Sequence, residues 1–160
     1  MGRLSTLQQD AARKYRLANH MLTQTYPLVK DSRLLLAVVE HLLSALETSM
    51  LSLLHIELYY NRIPQFGETF DSRFNAFRYH IVDKYHINRE FLLFIKDMQD
   101  IIKWHKESPV EFARKDKFVI CTNNYRTLEV TSVKVKKYVM KSKEFIDTIN
   151  SMVGKYGAII

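Results

Sequence analysis

Cationic and aromatic side chains are concentrated between residues 103 and 126 of this sequence, and they are its strongest chemical signal. The set comprises Lys103, Trp104, His105, Lys106, Arg114, Lys115, Lys117 and Arg126, with Phe112 and Tyr125 interleaved. Cations neutralise phosphates and aromatic faces stack on bases, which is how proteins hold single-stranded RNA or a nucleotide. The pattern therefore predicts binding of RNA or a nucleotide, and the alternative is a basic surface that contacts only water.

Positive charge is distributed unevenly along the chain. The 160 residues carry a formal net charge of +7, which favours an anionic partner. Residues 31–60 hold one basic and four acidic side chains, whereas residues 96–143 hold twelve basic and six acidic ones. Lys134, Lys137 and Lys141 form a stripe near the C-terminus that is typical of a solvated helix face. An anion site is therefore expected in the C-terminal half of the chain.

The six histidines do not occur in a metal-binding pattern. Neither Glu-x-x-His nor His-Glu-x-x-His is present, and these are the signatures of di-iron bundles and zinc proteases. His41 and His55 share a helix face, but the rise of the intervening turns separates them by roughly 21 Å, so one ion cannot join them. We predict no metal.

Glycine-rich phosphate loops and activated cysteines are also missing from the sequence. The four glycines form neither a Gly-x-Gly-x-x-Gly nor a Walker pattern, which excludes a Rossmann or P-loop enzyme. The single cysteine, Cys121, lies in a β-branched segment without a neighbouring base, so we interpret it as a packed thiol. We predict no cofactor and no disulfide framework.

Helical periodicity and capping residues predict five helices that position these side chains. They run from Ser5 toward Thr25, from Asp31 or Ser32 to the residues before Pro64, from about Phe70 to Tyr85, from Asn88 to Ser108, and from Thr131 or Ser132 onward. The segments KFVICT and YRTLEV flank Asn123-Asn124 and predict a small β-hairpin before the last helix. The predicted fold is one all-α domain over residues 1–160, an antiparallel bundle of about five helices with this insert.

The most apolar stretch, residues 34–58, is predicted to be a core helix. It carries Glu40, Glu47 and Glu57, and each ionised group at membrane depth costs several kcal/mol. The N-terminal segment MGRLSTLQQDAARKY has no apolar core of signal-peptide length. We therefore expect a cytoplasmic protein that does not bind a membrane.

Three segments together resemble the HEPN superfamily of helical domains, which includes RNA-cleaving toxins and relatives that bind RNA or nucleotides. The sequence AARKYRLANHML is similar to the first helix of that family, and RLLLAVVEHLLSALETSMLSLL to its long second helix. The helix ending DIIKWH, the insert and VKVKKYVMKSKEFIDTI resemble its closing unit. The resemblance implies a helical bundle that acts on RNA or a nucleotide, and it implies a homodimer.

Active HEPN proteins carry an arginine, four to six further residues and then a histidine near the end of the penultimate helix. When His105 is aligned with that histidine, Met98, Gln99 or Asp100 stands where the arginine is expected. The resemblance therefore implies a domain without catalysis. The same spacing occurs at Arg73 and His80, which is the reserve position for the motif.

Three functions remain open from the sequence. The first is non-catalytic binding of RNA or a nucleotide around His105 and the hairpin. The second is a metal-independent ribonuclease that uses His105 or His80 as general acid and base. The third is an interaction module, a homodimer or a complex with another protein, in which the extra apolar residues Leu36, Leu43, Met50 and Leu54 of the second helix form the interface.

Overall fold

The computed structural model describes residues 2–108, 110–122, 124 and 126–157. In this part of the chain, five helices and three strands follow one another. They are α1 (Gly2–His20), α2 (Arg33–Tyr59), α3 (Phe70–His80), α4 (Glu90–Glu107), β1 (Val110–Arg114), β2 (Lys117–Cys121), β3 (Thr127–Thr131) and α5 (Ser132–Tyr156). The predicted helical fold with a β insert before the last helix is confirmed.

Helix α2 is the central element of the bundle. It contacts the other four helices, and the sheet packs against α2, α4 and α5. Its residues Leu35, Leu42, Leu46 and Leu53 are fully buried, as the apolar periodicity predicts. By length and composition α2 could also cross a membrane, but 61% of its most apolar window is buried inside the fold, which is weak evidence for either environment.

The four residues expected to form an interface on α2 instead lie inside the monomer. Leu36 and Leu43 are 4% and 9% exposed, and Met50 and Leu54 are completely buried. The expectation was wrong because the other helices and the sheet cover the part of α2 that carries these four residues. These side chains offer no surface to a second copy, and the homodimer stays a prediction without them.

The first helix does not end at Pro27. A π-helical turn (Met21–Thr25) and a last α-helical turn (Tyr26–Val29) continue α1 without a break. Proline in a regular helix collides with the carbonyl four residues earlier, and the wider π turn directly before Pro27 changes that spacing. The extension ends at Lys30, which takes a left-handed conformation with φ of 55°.

Side-chain caps fix the starts of the helices near their predicted positions. The Asp31 carboxylate accepts the Arg33 N–H, the Asn88 amide oxygen accepts the Glu90 N–H, and the Thr131 hydroxyl accepts the Lys134 N–H. Each bond satisfies an amide that the helix leaves without a partner. Helix α3 ends at His80, five residues before the predicted end, yet Tyr85 in the following turns is still buried.

The β insert is a three-stranded antiparallel sheet in the order β1-β2-β3, one strand more than the predicted hairpin. β2 and β3 are the predicted hairpin, and the Thr122 N–H donates to the Arg126 carbonyl beside its turn. Asn123 and Tyr125 lie outside the described residues. β1 was not predicted because it is a short edge strand, VEFAR, in which four of the five residues are exposed and no apolar face is buried.

Candidate functional site

The eight predicted binding residues do not form one cluster. Helix α4 places Lys103 and Lys106 on one side and Trp104 on another, and it turns His105 toward the sheet. Residues one apart on a helix point about 100° away from each other, so consecutive residues cannot share a site. Arg114, Lys115 and Lys117 lie at the other end of β1 and β2.

Lys103 and Lys106 line an acidic groove of about 530 Å³ between α2, α3 and α4. Four carboxylates line the same groove, from Glu40, Glu47, Asp71 and Glu107. Even with Arg73, which pairs with Glu47, the four carboxylates outnumber the cations, so the groove disfavours a phosphate. The two lysines are therefore not part of an anion site.

The largest group of cations surrounds the turn between β1 and β2, and we call it the basic crevice. It consists of two adjoining depressions of about 560 and 490 Å³ that share Lys115, Asp116 and Ser132. The cations that line it are Lys30, Arg114, Lys115, Lys117 and Lys136. Three segments that are distant in sequence thus meet at one surface: the end of the α1 extension, the β1–β2 turn and the start of α5.

Local structure accounts for each side of the basic crevice. Arg114 pairs with Lys117 in the sheet, so Lys115 and Asp116 form a two-residue turn between them. The Ser132 N–H donates to the Asp116 carbonyl at 3.4 Å, which holds the turn against the start of α5. Lys136 follows Ser132 by one helical turn and lines the same depression.

Most cations of the basic crevice have no carboxylate partner. Lys117 binds Glu129 at 2.9 Å, whereas Lys30, Arg114, Lys115 and Lys136 form no ion pair with any described residue. The Arg114 guanidinium lies 5.2 Å from the centre of the Phe112 ring and stays free to accept an anion. The site therefore presents four uncompensated positive charges and one acidic side chain, Asp116.

Tyr26 adds a neutral hydrogen-bond donor to the basic crevice. Its side chain lines the depression beside Lys30 and Lys115. Burial, and secondarily the negative charge of Asp116, raise the pKa of the Tyr26 phenol. The hydroxyl therefore stays protonated at neutral pH and can donate to a phosphate oxygen.

Trp104 lines a separate depression of about 340 Å³, which we call the Trp104 pocket. Asp97 and Asp100 share its helix face, and Arg126 and Lys134 approach from β3 and α5. Asp100 pairs with Lys96 at 3.1 Å, whereas Asp97 has no ion pair among the described side chains. An aromatic face, a free carboxylate and two cations thus share one cavity.

His105 is held by a carboxylate that the sequence prediction missed. Its Nδ1 lies 2.9 and 3.0 Å from the two carboxylate oxygens of Glu111, and its ring contacts Phe118 edge-on. A proton on Nδ1 satisfies this contact and leaves Nε2 as the acceptor. The pair resembles the oriented base of acid–base enzymes, and a third of the His105 side chain is exposed.

The structure supplies no guanidinium at the three positions where the HEPN motif expects one. Met98 is buried, Gln99 donates to Asp71, and Asp100 pairs with Lys96. Without a cation there, the His105 and Glu111 pair has no partner at these positions to stabilise a charged transition state.

The reserve pair Arg73 and His80 is not assembled as a site. Arg73 binds the Glu47 carboxylate at 2.6 Å, which neutralises its charge. His80 lies seven residues further along α3, and no hydrogen bond or ion pair among the described side chains joins it to Arg73. Among the side chains that the structure describes, no group of three potential metal ligands lies together, and Cys121 is a partly buried residue at the end of β2.

Three residues of the candidate sites could not be found in the sequence. Lys30 and Lys136 join the basic crevice only because their helices end or begin beside the β1–β2 turn. Glu111 meets His105 because β1, which has no apolar alternation, folds back along β2. Asp97 differs from these three residues because the sequence does predict its position. Its spacing of seven residues from Trp104 places both side chains on one helix face.

The chain was also compared with known proteins. No model of a protein family, no curated protein and no solved structure matches it.

Proposed function

We propose that this protein binds single-stranded RNA, or the phosphates of a nucleotide, through the basic crevice. The observation that carries the proposal is the convergence of Lys30, Arg114, Lys115 and Lys136 without carboxylate partners. Like charges repel one another, so four such side chains around one depression create a positive potential that attracts an anion. Phosphate is the anion whose geometry suits several cations and neutral donors at once.

Single-stranded RNA fits this surface better than a duplex. The crevice is a short concave surface, the Phe112 ring lies against the Arg114 guanidinium, and Trp104 lines a separate pocket at the other end of β3. Unpaired bases can stack on such side chains while their phosphates stay in the crevice. The resemblance to HEPN domains and the cytoplasmic location, where RNA is abundant, belong to the same proposal.

Charge reversal at two matched pairs of residues tests the proposal. The first variant, Arg114→Glu/Lys115→Glu, changes the basic crevice, and the control Lys103→Glu/Lys106→Glu changes the acidic groove. Both lower the net charge of the protein by the same amount. We expect the first variant to weaken filter binding of a mixed single-stranded RNA pool by at least tenfold and the control to retain most of the affinity.

Two outcomes of this comparison contradict the proposal. An equal loss of RNA affinity in both variants indicates that binding depends only on the total charge of the protein. Unchanged binding of the first variant indicates that RNA, if it binds, uses another surface. Circular dichroism checks that both variants are folded, and the exposure of all four side chains makes this the expected result.

Cleavage of RNA is a second candidate function, favoured by the contact between His105 and Glu111. The carboxylate orients the imidazole, which can then act as general base and acid on a ribose hydroxyl. Labelled RNA incubated with the wild type and with His105→Ala, Glu111→Gln and His80→Ala variants tests it. Loss of cleavage in the first two variants alone supports the candidate, whereas equal cleavage by all four proteins points to contamination.

A further inference from the structure

The Trp104 pocket combines groups that the basic crevice does not have. Trp104 is the only tryptophan of the chain, it is half-buried, and its pocket of about 340 Å³ lies at the small end of the range for ligand sites. The crevice is lined by five cations and one carboxylate, Asp116, whereas the pocket is lined by two carboxylates and two cations. Lys96 pairs with Asp100, but Asp97 has no ion pair among the described side chains, so a ligand that matches the whole pocket offers hydrogen-bond donors as well as a phosphate.

The free carboxylate of Asp97 restricts which base can enter. Guanine has two adjacent donors on its Watson–Crick edge, N1–H and the N2 amino group, and one carboxylate accepts both. Adenine and cytosine each have an acceptor beside their amino group, and the single N–H of uracil lies between two carbonyls. In each of these bases a lone pair would therefore face a carboxylate oxygen and repel it. Asp97 therefore selects for guanine.

We propose that the Trp104 pocket binds a guanine base, stacked on Trp104 and held by hydrogen bonds from N1–H and N2–H to Asp97. Arg126 and Lys134 line the same pocket and pair with the phosphate attached to that guanosine. Asp100 contributes less because Lys96 already neutralises its carboxylate. The pocket thus reads a base, whereas the basic crevice holds phosphates without regard to sequence.

The proposal rests on the proposed function in one respect, since the guanine belongs to the RNA that the crevice holds. Strand β3 connects the two sites, because Thr127 lines the pocket and Thr131 lines the crevice. Four residues of extended chain separate them by roughly 13 Å. A short oligonucleotide covers this distance, so one strand of RNA can occupy both sites.

Fluorescence of Trp104 is a direct reporter because no other tryptophan contributes. Titration of the full chain with GMP, AMP, CMP and UMP measures each affinity separately, and stacking of a base on the indole quenches the emission. We expect GMP to bind at least about tenfold more tightly than AMP, as a bidentate contact to a base provides. Asp97→Asn should remove that preference, and the matched control Asp100→Asn should keep most of it.

The outcomes separate this proposal from the proposed function. Equal quenching by all four nucleotides, or none at millimolar concentration, overturns the guanine proposal, and so does a preference that survives in Asp97→Asn. RNA binding that still depends on Arg114 and Lys115 then leaves the proposed function intact. Equilibrium dialysis of labelled GMP against Trp104→Leu gives an independent readout, and affinity equal to that of the wild type contradicts stacking on Trp104.

Discussion

The buried carboxylate of Glu57 makes the stability of the protein depend on acid pH. Glu57 lies near the end of α2 and its side chain is completely buried. Arg62 donates two hydrogen bonds to it, each 3.0 Å long, Lys84 donates one at 2.7 Å, and the Tyr85 hydroxyl donates another. Burial acts to raise the pKa of Glu57, but these bonds and charges outweigh it and lower the pKa to about 2.

The pKa of Glu57 gives the size and sign of the effect. A fall from the ordinary value of 4.5 to about 2 corresponds to about 3 kcal/mol, at about 1.4 kcal/mol per pH unit. The folded state holds its proton less tightly than the unfolded state, so this stabilisation is complete above pH 5. It is lost progressively as the pH falls from about 5 to about 2.

Urea unfolding of the wild type and of Glu57→Gln between pH 7 and pH 3 measures this contribution. We expect the variant to be less stable by about 3 kcal/mol or more at pH 7, because the substitution also leaves Arg62 and Lys84 without their partner. The difference between the two proteins should shrink as the pH falls below 5. Comparing the two proteins at each pH cancels the titration of the other carboxylates.

Asp83→Asn serves as the control, because Asp83 forms an ion pair with Arg89 in which both side chains are mostly exposed. Exposed pairs contribute little, so this variant should keep nearly the stability of the wild type. A Glu57→Gln protein as stable as the wild type at pH 7 would refute the reasoning, and so would a difference that stays constant down to pH 3.

Three further substitutions, and one control, test the packing and capping that position the sites. Tyr138→Phe should leave the stability of the protein unchanged or raise it, because the buried Tyr138 hydroxyl has no hydrogen-bond partner among the described residues. Met50→Ala should lower the free energy of unfolding by about 2–5 kcal/mol by opening a cavity, and Leu28→Ala, at a site 85% exposed, should not. Thr131→Ala removes the cap on the Lys134 N–H at the start of α5 and should cost about 1 kcal/mol in denaturant unfolding.

The helices of this fold were largely predictable because their signals are local. The apolar positions Val135, Phe145 and Ile149 repeat at helical spacing, and all three are buried in α5. The π turn before Pro27 and the edge strand β1 depend on neighbours instead. No characteristic amino-acid composition marks a π turn in a sequence, and β1 forms a strand by pairing with β2.

The candidate sites were predictable only in part, since residues that are close in sequence need not be close in space. Lys103 and Trp104 are adjacent in sequence, yet α4 places them in an acidic groove and in the Trp104 pocket. Helical geometry alone could have separated them. Lys30 could not have been assigned, because its place beside Lys115 follows from the packing of α1 and its π turn against α2 and α5.

The dependence of RNA affinity on salt tests most directly whether the basic crevice binds phosphates. If the four unpaired cations each neutralise one phosphate of a single strand, the logarithm of the affinity falls with the logarithm of salt concentration at a slope of about −3. In Arg114→Ala/Lys115→Ala the slope should become about −1.4. Affinity that does not respond to salt, or a slope that is the same in the wild type and the variant, contradicts binding at the crevice.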